Sequence, residues 1–260
     1  MKKKLYIGSN LKMYKNVDST LKYLTELETL TKDIDREEVE VFIIPSYTSL
    51  ESATKKIDPK LINIGAQNMC WEAEGQFTGE ISPLMLKELN INLVMLGHSE
   101  RRHIFHETDF VINKKVNAAL RHGIHVLLCI GETLEEKEYG VSCEVLRSQL
   151  KIAFHNVNIS DVSNIWVAYE PVWSIGVNGI PATSEYAEKM HKEIKKCLVE
   201  IWGEDSKKIP VLYGGSVNPN NAEDLISQPS IDGLFIGRAA WNAENMNNLI
   251  RTAKTKFEAK

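Results

Sequence analysis

No stretch of the 260-residue sequence approaches the roughly 20 consecutive apolar residues that a membrane-spanning helix needs. The basic start, Met1 to Lys4, is followed by an apolar run that is too short for a secretory signal peptide. The net charge of -4 lacks the positive excess that is typical of proteins binding nucleic acid or anionic membranes. We therefore expect a soluble, cytoplasmic protein whose partners include neither nucleic acid nor a membrane.

Cysteine is scarce, and no Cys-x-x-Cys spacing occurs. The four cysteines are Cys70, Cys129, Cys143 and Cys197. Their scatter predicts reduced thiols rather than a disulfide framework or a zinc site, and Cys129, inside VLLCI, reads as a small core residue. Two histidine pairs, His103 with His106 and His122 with His125, have the i, i+3 spacing of metal ligands on a helix, but no carboxylate or cysteine stands in register. We expect no metal and no cofactor.

The sequence also lacks the signs of a nucleotide-binding sheet or of a second domain. Neither Gly-x-Gly-x-x-Gly nor Gly-x-x-x-x-Gly-Lys-Ser/Thr occurs where a strand would meet a helix. No Pro/Ser-rich linker, low-complexity tract or block of like charge interrupts the chain. A single catalytic domain over residues 1–260 is the expected organisation.

Short apolar, β-branched segments are what the sequence does contain, each bounded by Gly, Pro, Asn or Ser. Eight of them predict strands, at residues 4–10, 40–45, 61–66, 92–97, 124–131, 165–170, 209–215 and 232–237. Charged, amphipathic segments such as 18–33 and 109–123 lie between most of them and predict helices. Because parallel strands need crossover helices and bury both faces, this order predicts an α/β protein with a single closed (β/α)8 barrel.

Polar residues that follow the predicted strands are the candidates for chemistry, since reactive groups of such barrels come from the C-terminal ends of the strands. Glu170 ends an apolar strand beside the stiffening Pro171, which makes it a candidate general base. His98 precedes Ser99, the expected N-cap of a helix through ERRHIF, and the positive end of that helix favours a neutral imidazole. Lys12 could place a fixed positive charge beside an anionic substrate.

An anion site is expected in the turns after the seventh and eighth strands. Gly214, Gly215 and Ser216 allow backbone N–H groups and a hydroxyl to approach a phosphate, and Gly237 and Arg238 follow the last strand. Base, electrophile, cation and anion site together indicate proton abstraction next to a carbonyl in a small phosphorylated sugar.

Seven segments, in this order, resemble the triosephosphate isomerase family along essentially the whole chain. They are SNLKM (9–13), GAQN (65–68), FTGEIS (77–82), LGHSERR (96–102), CIGETLEE (129–136), AYEPVWSIG (168–176) and YGGSV (213–217). The resemblance implies a TIM barrel without cofactor that interconverts dihydroxyacetone phosphate and glyceraldehyde 3-phosphate.

The resemblance also implies a role for each matched residue. Glu170 would move the proton between two carbons, His98 would polarise the carbonyl, Lys12 with Asn10 would stabilise the enediolate, and Glu100 would orient Lys12. Phosphate would bind amides at Gly176, Ser216, Gly237 and Arg238, with Gly215 allowing its close approach. Residues 172–182 would form a lid, and Thr78 would brace Asn10 and Lys12 of a second subunit in a homodimer.

Departures from the family pattern lie at the lid and at the phosphate end. Leu11 replaces a tryptophan, the lid has an extra residue, Val177 or Asn178, with Ile180 and Pro181 in place of Lys-Thr, and Arg238 replaces a glycine. Every group that performs the chemistry is kept. An isomerase of a four-carbon sugar phosphate, such as an erythrulose phosphate, is therefore an open alternative to the three-carbon reaction. A non-catalytic phosphate-binding or scaffold barrel would need the loss of a catalytic group, and none is lost.

Overall fold

Along the residues that the computed structural model describes, 4–176 and 179–260, each of eight parallel strands is followed by one or two of ten helices. The strands are β1 Leu5–Asn10, β2 Val39–Ile44, β3 Asn63–Ile64, β4 Leu93–Leu96, β5 His125–Ile130, β6 Ile165–Tyr169, β7 Val211–Tyr213 and β8 Gly233–Ile236. The helices are α1 Val17–Thr31, α2 Tyr47–Lys56, α3 Pro83–Glu88, α4 Ser99–His103, α5 Asp109–Arg121, α6 Leu134–Glu138, α7 Ser142–Ala153, α8 Ser184–Trp202, α9 Ala222–Ser227 and α10 Ala243–Glu258. Short 3₁₀ helices cover Ile159–Asn164, Val172–Ser174, Gly203–Lys208 and Arg238–Ala240.

The sheet closes into a barrel. Its hydrogen-bonded order is β3-β2-β1-β8-β7-β6-β5-β4, so β1 pairs with both β2 and the last strand. The two ends of this order meet at one parallel bridge, where Ala66 donates its N–H to Leu93 O and accepts from Met95 N, both at 2.9 Å. The predicted (β/α)8 barrel is confirmed.

The predicted third strand, 61–66, is longer than the observed one. Only Asn63 and Ile64 pair with β2, and Ala66 contributes just the closing bridge. The apolar pattern correctly predicted that Ile62, Ile64 and Ala66 are buried, but a buried segment need not form strand hydrogen bonds along its whole length.

Alternation along β1 shows how the barrel divides its two faces. Leu5 and Ile7 point outward into the large core between strands and helices, whereas Tyr6 packs against the smaller core inside the barrel. The inner core includes Phe42, Trp166 and Phe235. The same alternation turns Asn10 inward at the C-terminal end of the strand, where the apolar filling stops.

Helices α1 and α5 begin where polar side chains cap them. Asn16 accepts from Ser19 N before α1, and Thr108 accepts from Val111 N before α5. The helices predicted at 18–33 and 109–123 are thus observed at Val17–Thr31 and Asp109–Arg121. None of the described helices is long and apolar enough to cross a membrane.

Candidate active site

A cavity of about 460 Å³ opens at the C-terminal end of the barrel. The turns that follow β1, β4, β6, β7 and β8 all contribute to its wall. It brings together every residue for which the sequence predicts chemistry or phosphate binding, namely Asn10, Lys12, His98, Glu100, Glu170, Gly176, Gly215, Ser216, Gly237 and Arg238. Residues up to 228 positions apart in the chain therefore share one wall, because parallel strands deliver their C-terminal ends to the same edge.

Glu170 lies directly after β6 and is only 3% exposed. Its N–H donates to Ile130 O at 2.7 Å, which continues the pairing with β5 by one residue. Gly214 lies next to the Glu170 side chain. An added Cβ at Gly214 would lie 2.8 Å from Glu170 Cγ, so only glycine leaves room for the carboxylate. Glu170 Oε2 is buried and has no hydrogen-bond partner among the residues that the structure describes. The Glu170 carboxylate thus keeps a buried oxygen that no described residue engages.

His98 faces Glu170 across the cavity, with 3.6 Å between Nε2 and Glu170 Oε1. Its Nδ1 accepts the N–H of Glu100 at 3.2 Å, and the Glu100 carboxylate lies farther away, at 3.7 Å. Since Nδ1 uses its lone pair in this bond, the ring proton resides on Nε2 and points toward the cavity.

The expected cap at Ser99 is wrong by one residue. Helix α4 begins at Ser99, and His98 is its N-cap, with the imidazole in the accepting role that the Ser99 hydroxyl was expected to fill. The consequence for His98 is the same, because the ring still lies at the start of the helix. Its neutral tautomer, however, follows from a direct hydrogen bond rather than from the helix field alone.

Lys12 is held in an unusual backbone conformation, with φ at 51°. Such left-handed geometry costs a non-glycine residue roughly 1–2 kcal/mol. Asn10 Oδ1 accepts Lys12 N at 2.8 Å, and Gln67 Nε2 donates to Lys12 O at 2.7 Å, so side-chain contacts offset that cost. Lys12 Nζ forms a 2.6 Å ion pair with Glu100 Oε1 at the cavity wall.

The predicted phosphate end combines a tight turn with a lone cation. An added Cβ on Gly215 would lie 2.3 Å from the Tyr213 hydroxyl, so the turn after β7 requires glycine there. The N–H of Ser216 donates to Ser174 Oγ at 2.9 Å. Arg238 opens the 3₁₀ helix Arg238–Ala240 and is exposed, and it forms no ion pair with any residue in the described part of the chain.

The base of the predicted lid is anchored by a buried carboxylate, Glu132. It accepts hydrogen bonds from Tyr169 Oη at 3.0 Å, Trp173 Nε1 at 3.0 Å and Tyr186 Oη at 2.9 Å. Burial, followed by the charge of Glu132, raises the pKa of Tyr186 to about 12, so its phenol remains a donor. The extra lid residue, Val177 or Asn178, lies outside the described residues.

Three further residues shape the site without having been predicted to do so. Gln67 supports the turn after β1, Ser174 meets the Ser216 amide, and Trp241 lines the cavity. Gln67 follows the third strand in GAQN, so its position at a strand end was a usable signal. Ser174 and Trp241 carry no such signal, because their partners lie 42 and 231 positions away.

Thr78 and the two histidine pairs are not part of the cavity wall. Thr78 stands on an exposed loop and is not part of the cavity wall. Among residues 4–176 and 179–260, no three His, Cys, Asp or Glu side chains come together as a metal-ligand set. Cys129 is buried in the barrel, as expected of a core residue, and burial with the neighbouring charge of Glu170 raises the pKa of its thiol.

Comparison with known proteins gives the same family over almost the full length. The triosephosphate isomerase family model matches residues 5–253. The chain is 46% identical over 248 residues to the L-erythrulose-1-phosphate isomerase of Rhizobium etli, covering 95% of this chain and 91% of that protein. It is 42% identical over 258 residues to the L-erythrulose-1-phosphate isomerase of Brucella abortus, covering 98% and 99% of the two chains.

A relative with the other activity is similar to the same degree. The triosephosphate isomerase of Fusobacterium nucleatum is 43% identical over 250 residues, covering 96% of this chain and 98% of that protein. The names of these relatives describe isomerases of sugar phosphates, and the expectation of an enzyme of that class is confirmed. By its barrel, by the residues that meet at its cavity and by these full-length similarities, the chain belongs to the triosephosphate isomerase family.

Proposed function

We propose that the protein isomerises a four-carbon ketose phosphate, L-erythrulose 1-phosphate, by proton transfer between the two carbons beyond the phosphate-bearing methylene. The proposed reaction type is supported above all by one observation: the carboxylate of Glu170 and the imidazole of His98 face each other in one cavity, 3.6 Å apart. The substrate class is supported by the two L-erythrulose-1-phosphate isomerases that the chain resembles over nearly its full length. The predicted interconversion of dihydroxyacetone phosphate and glyceraldehyde 3-phosphate is therefore less favoured than isomerisation of a four-carbon sugar phosphate.

In the proposed mechanism, Glu170 removes the proton from the carbon next to the carbonyl. Its Oε2, which is buried and has no hydrogen-bond partner among the described residues, provides the base position. His98, with its proton on Nε2, donates to the carbonyl oxygen as negative charge develops there. A glutamate base paired with a neutral histidine is the arrangement known from triosephosphate isomerase itself, and these roles are carried over from the family.

Lys12 supplies the fixed positive charge beside the enediolate. Its ammonium group lies 2.6 Å from Glu100 Oε1, which limits the positions it can adopt, and Asn10 is buried beside it. A preorganised cation stabilises developing negative charge without reorganisation during the reaction. Glu100 therefore orients the lysine rather than touching the reacting atoms.

The phosphate would occupy the opposite end of the cavity. Gly176, Ser216, Gly237 and Arg238, whose backbone N–H groups are proposed to bind it, all line the cavity, and the guanidinium of Arg238 adds a positive charge that no described acid neutralises. Holding the phosphate at this end fixes which two carbons lie between Glu170 and His98.

The extra carbon changes the product. Glu170 takes the proton from C3 of L-erythrulose 1-phosphate, and an enediolate of C2 and C3 forms. His98 relays the hydroxyl proton from O3 to O2, and Glu170 returns a proton to C2. The carbonyl then lies on C3, so the product is a second ketose, erythrulose 4-phosphate, with no net gain or loss of atoms. The same steps convert dihydroxyacetone phosphate to an aldose, because its far carbon carries no further carbon.

Triosephosphate isomerisation is the second candidate, favoured by the 43% identity to the enzyme of Fusobacterium nucleatum. The deciding experiment measures kcat/KM on L-erythrulose 1-phosphate and on D-glyceraldehyde 3-phosphate under identical conditions. We expect the four-carbon substrate to be preferred at least tenfold, with deuterium from D2O appearing on the carbon next to the phosphate-bearing methylene of the product. A preference for glyceraldehyde 3-phosphate would reverse the assignment.

A homodimer is part of the proposal. Beside the cavity, Met13 is 93% exposed and Tyr14 is 71% exposed, and the loop with Phe77 and Thr78 is exposed as well. Large apolar side chains that are exposed to this degree are typical of interaction surfaces, and a second copy of the chain is the proposed partner. Light scattering should give twice the 29.4 kDa mass of the chain, and a fully active monomer would exclude a role for Thr78 across subunits.

A further inference from the structure

Trp241, one of five tryptophans, stands in the cavity wall at the point where the turns after β1 and β8 meet. Its indole Nε1–H donates to the backbone carbonyl of Asn10 at 2.9 Å. Its ring packs on Tyr14, with 4.5 Å between ring centroids and 39° between the planes. The indole therefore contacts the Asn10-to-Tyr14 segment at both ends, and Lys12 lies between the two contacts.

The conformation of Lys12 depends on contacts outside its own residue. The left-handed backbone at Lys12, with φ at 51°, is one that a lysine does not adopt by preference. Asn10 and Gln67 hold the turn from the strand side, through the 2.8 Å bond to Lys12 N and the 2.7 Å bond to Lys12 O. Trp241 holds the carbonyl of Asn10, which neither of these two contacts reaches.

Trp241 is itself firmly placed. Its N–H donates to Arg238 O at 3.2 Å, closing the 3₁₀ helix after β8. The carbonyl of the preceding residue, Ala240, accepts the buried hydroxyl of Tyr23 from α1 at 2.8 Å. An anchored side chain can transmit position, whereas a mobile one cannot. Trp241 thus links the turn with the proposed phosphate amides to the turn with Lys12.

We propose that Trp241 is a positioning residue for the reaction: its indole fixes the Asn10 carbonyl and thereby holds Lys12 Nζ where the enediolate forms. This inference rests on the role proposed above for Lys12. Trp241 needs no contact with the substrate's reacting carbons, since it acts through the backbone of the turn. Loss of the indole N–H would leave the phosphate amides in place but allow the lysine to leave its productive position.

The chain offers a matched control in Trp202. This tryptophan is also half-buried, its Nε1–H also donates to a backbone carbonyl, that of Val157 at 3.2 Å, and its ring also packs on an aromatic side chain, Phe154, at 4.9 Å. It is not part of the cavity wall. Trp241→Phe and Trp202→Phe therefore remove the same kind of hydrogen bond and keep the same kind of ring.

The test measures kcat, KM and competitive inhibition by inorganic phosphate for the wild type and both variants. We expect Trp241→Phe to lower kcat about tenfold and to leave the inhibition constant of phosphate within twofold of wild type, because a displaced catalytic charge reduces transition-state stabilisation. Trp202→Phe should leave all three quantities within twofold. A kcat of Trp241→Phe equal to that of Trp202→Phe would overturn the proposal.

A double-variant measurement separates positioning from general destabilisation. In a Lys12→Arg background, where the ammonium group is already replaced, Trp241→Phe should lower kcat by less than threefold. An undiminished tenfold loss in that background would show that Trp241 acts independently of Lys12, and the inference would fail. A wild-type protein that turns over neither sugar phosphate would instead overturn the proposed function, and this inference with it.

Discussion

Replacing Ser174 with alanine removes the hydroxyl that competes for the Ser216 amide. Ser174 is 1% exposed, and its Oγ accepts the Ser216 N–H at 2.9 Å. The same N–H is one of the amides proposed to bind phosphate, and it cannot make both hydrogen bonds at full strength. The serine hydroxyl therefore stabilises the protein without phosphate and contributes nothing to this bond when phosphate is bound.

The magnitude follows from the net contribution of one neutral hydrogen bond, about 1 kcal/mol. Because Ser174→Ala raises the free energy of the phosphate-free protein by that amount and leaves the complex unchanged, the dissociation constant of inorganic phosphate should fall about fivefold. The same loss should lower Tm by roughly 2–4 °C for a chain of this size. The variant is expected to be less stable and yet to bind phosphate more tightly.

Titration calorimetry with inorganic phosphate measures this effect without requiring turnover. Ser206→Ala is the matched control, since Ser206 is also buried, its hydroxyl donates to Gly203 O at 2.7 Å, and it is not part of the cavity wall. It should lower Tm by a similar amount and leave phosphate affinity unchanged. Unchanged or weaker binding by Ser174→Ala would refute the reasoning, because Ser216 N would then not be a shared donor.

Three further variants test other parts of the site and fold. Glu170→Gln should lower kcat at least a thousandfold while inorganic phosphate still binds within twofold of wild type, and a variant with wild-type turnover would exclude Glu170 as the base. Arg238→Gly keeps the backbone N–H but removes the guanidinium, so KM should rise about threefold and kcat/KM should depend less on salt concentration. An unaltered salt dependence would show that the guanidinium does not act on the phosphate. His191 is fully buried, and burial lowers its pKa to about 3. Between about pH 6.5 and pH 3 the unfolded chain therefore binds a proton at this histidine that the folded chain does not bind. The free energy of unfolding falls by roughly 1.4 kcal/mol for each pH unit as the pH is lowered through that window. His191→Gln should flatten the dependence of the urea-derived free energy of unfolding on pH between 6 and 4, and an equal slope in both proteins would contradict the assignment to His191.

Position in the sequence was sufficient to predict which residues meet at the cavity. Glu170 and His98 could be identified from the sequence because each stands at the end of an apolar strand, and parallel strands of a barrel deliver those ends to one rim. The turn at Gly215, the proposed anion site, could be located for the same reason. The cap at Ser99 was misplaced by one residue because sequence preference for serine at an N-cap does not include the competing acceptor on His98.

Periodicity and turn residues by themselves determined the class of fold, since the alternation of apolar strands with amphipathic helices is a local property of the chain. They also determined which polar groups lie at the rim. Only the tertiary structure decided how those groups are held, because the Asn10 carbonyl meets the indole of Trp241 across 231 positions and the Ser216 amide meets Ser174 across 42. A hydrophobic period reports which face of a segment is buried, but the partner that a given donor finds depends on the packing of elements distant in the chain.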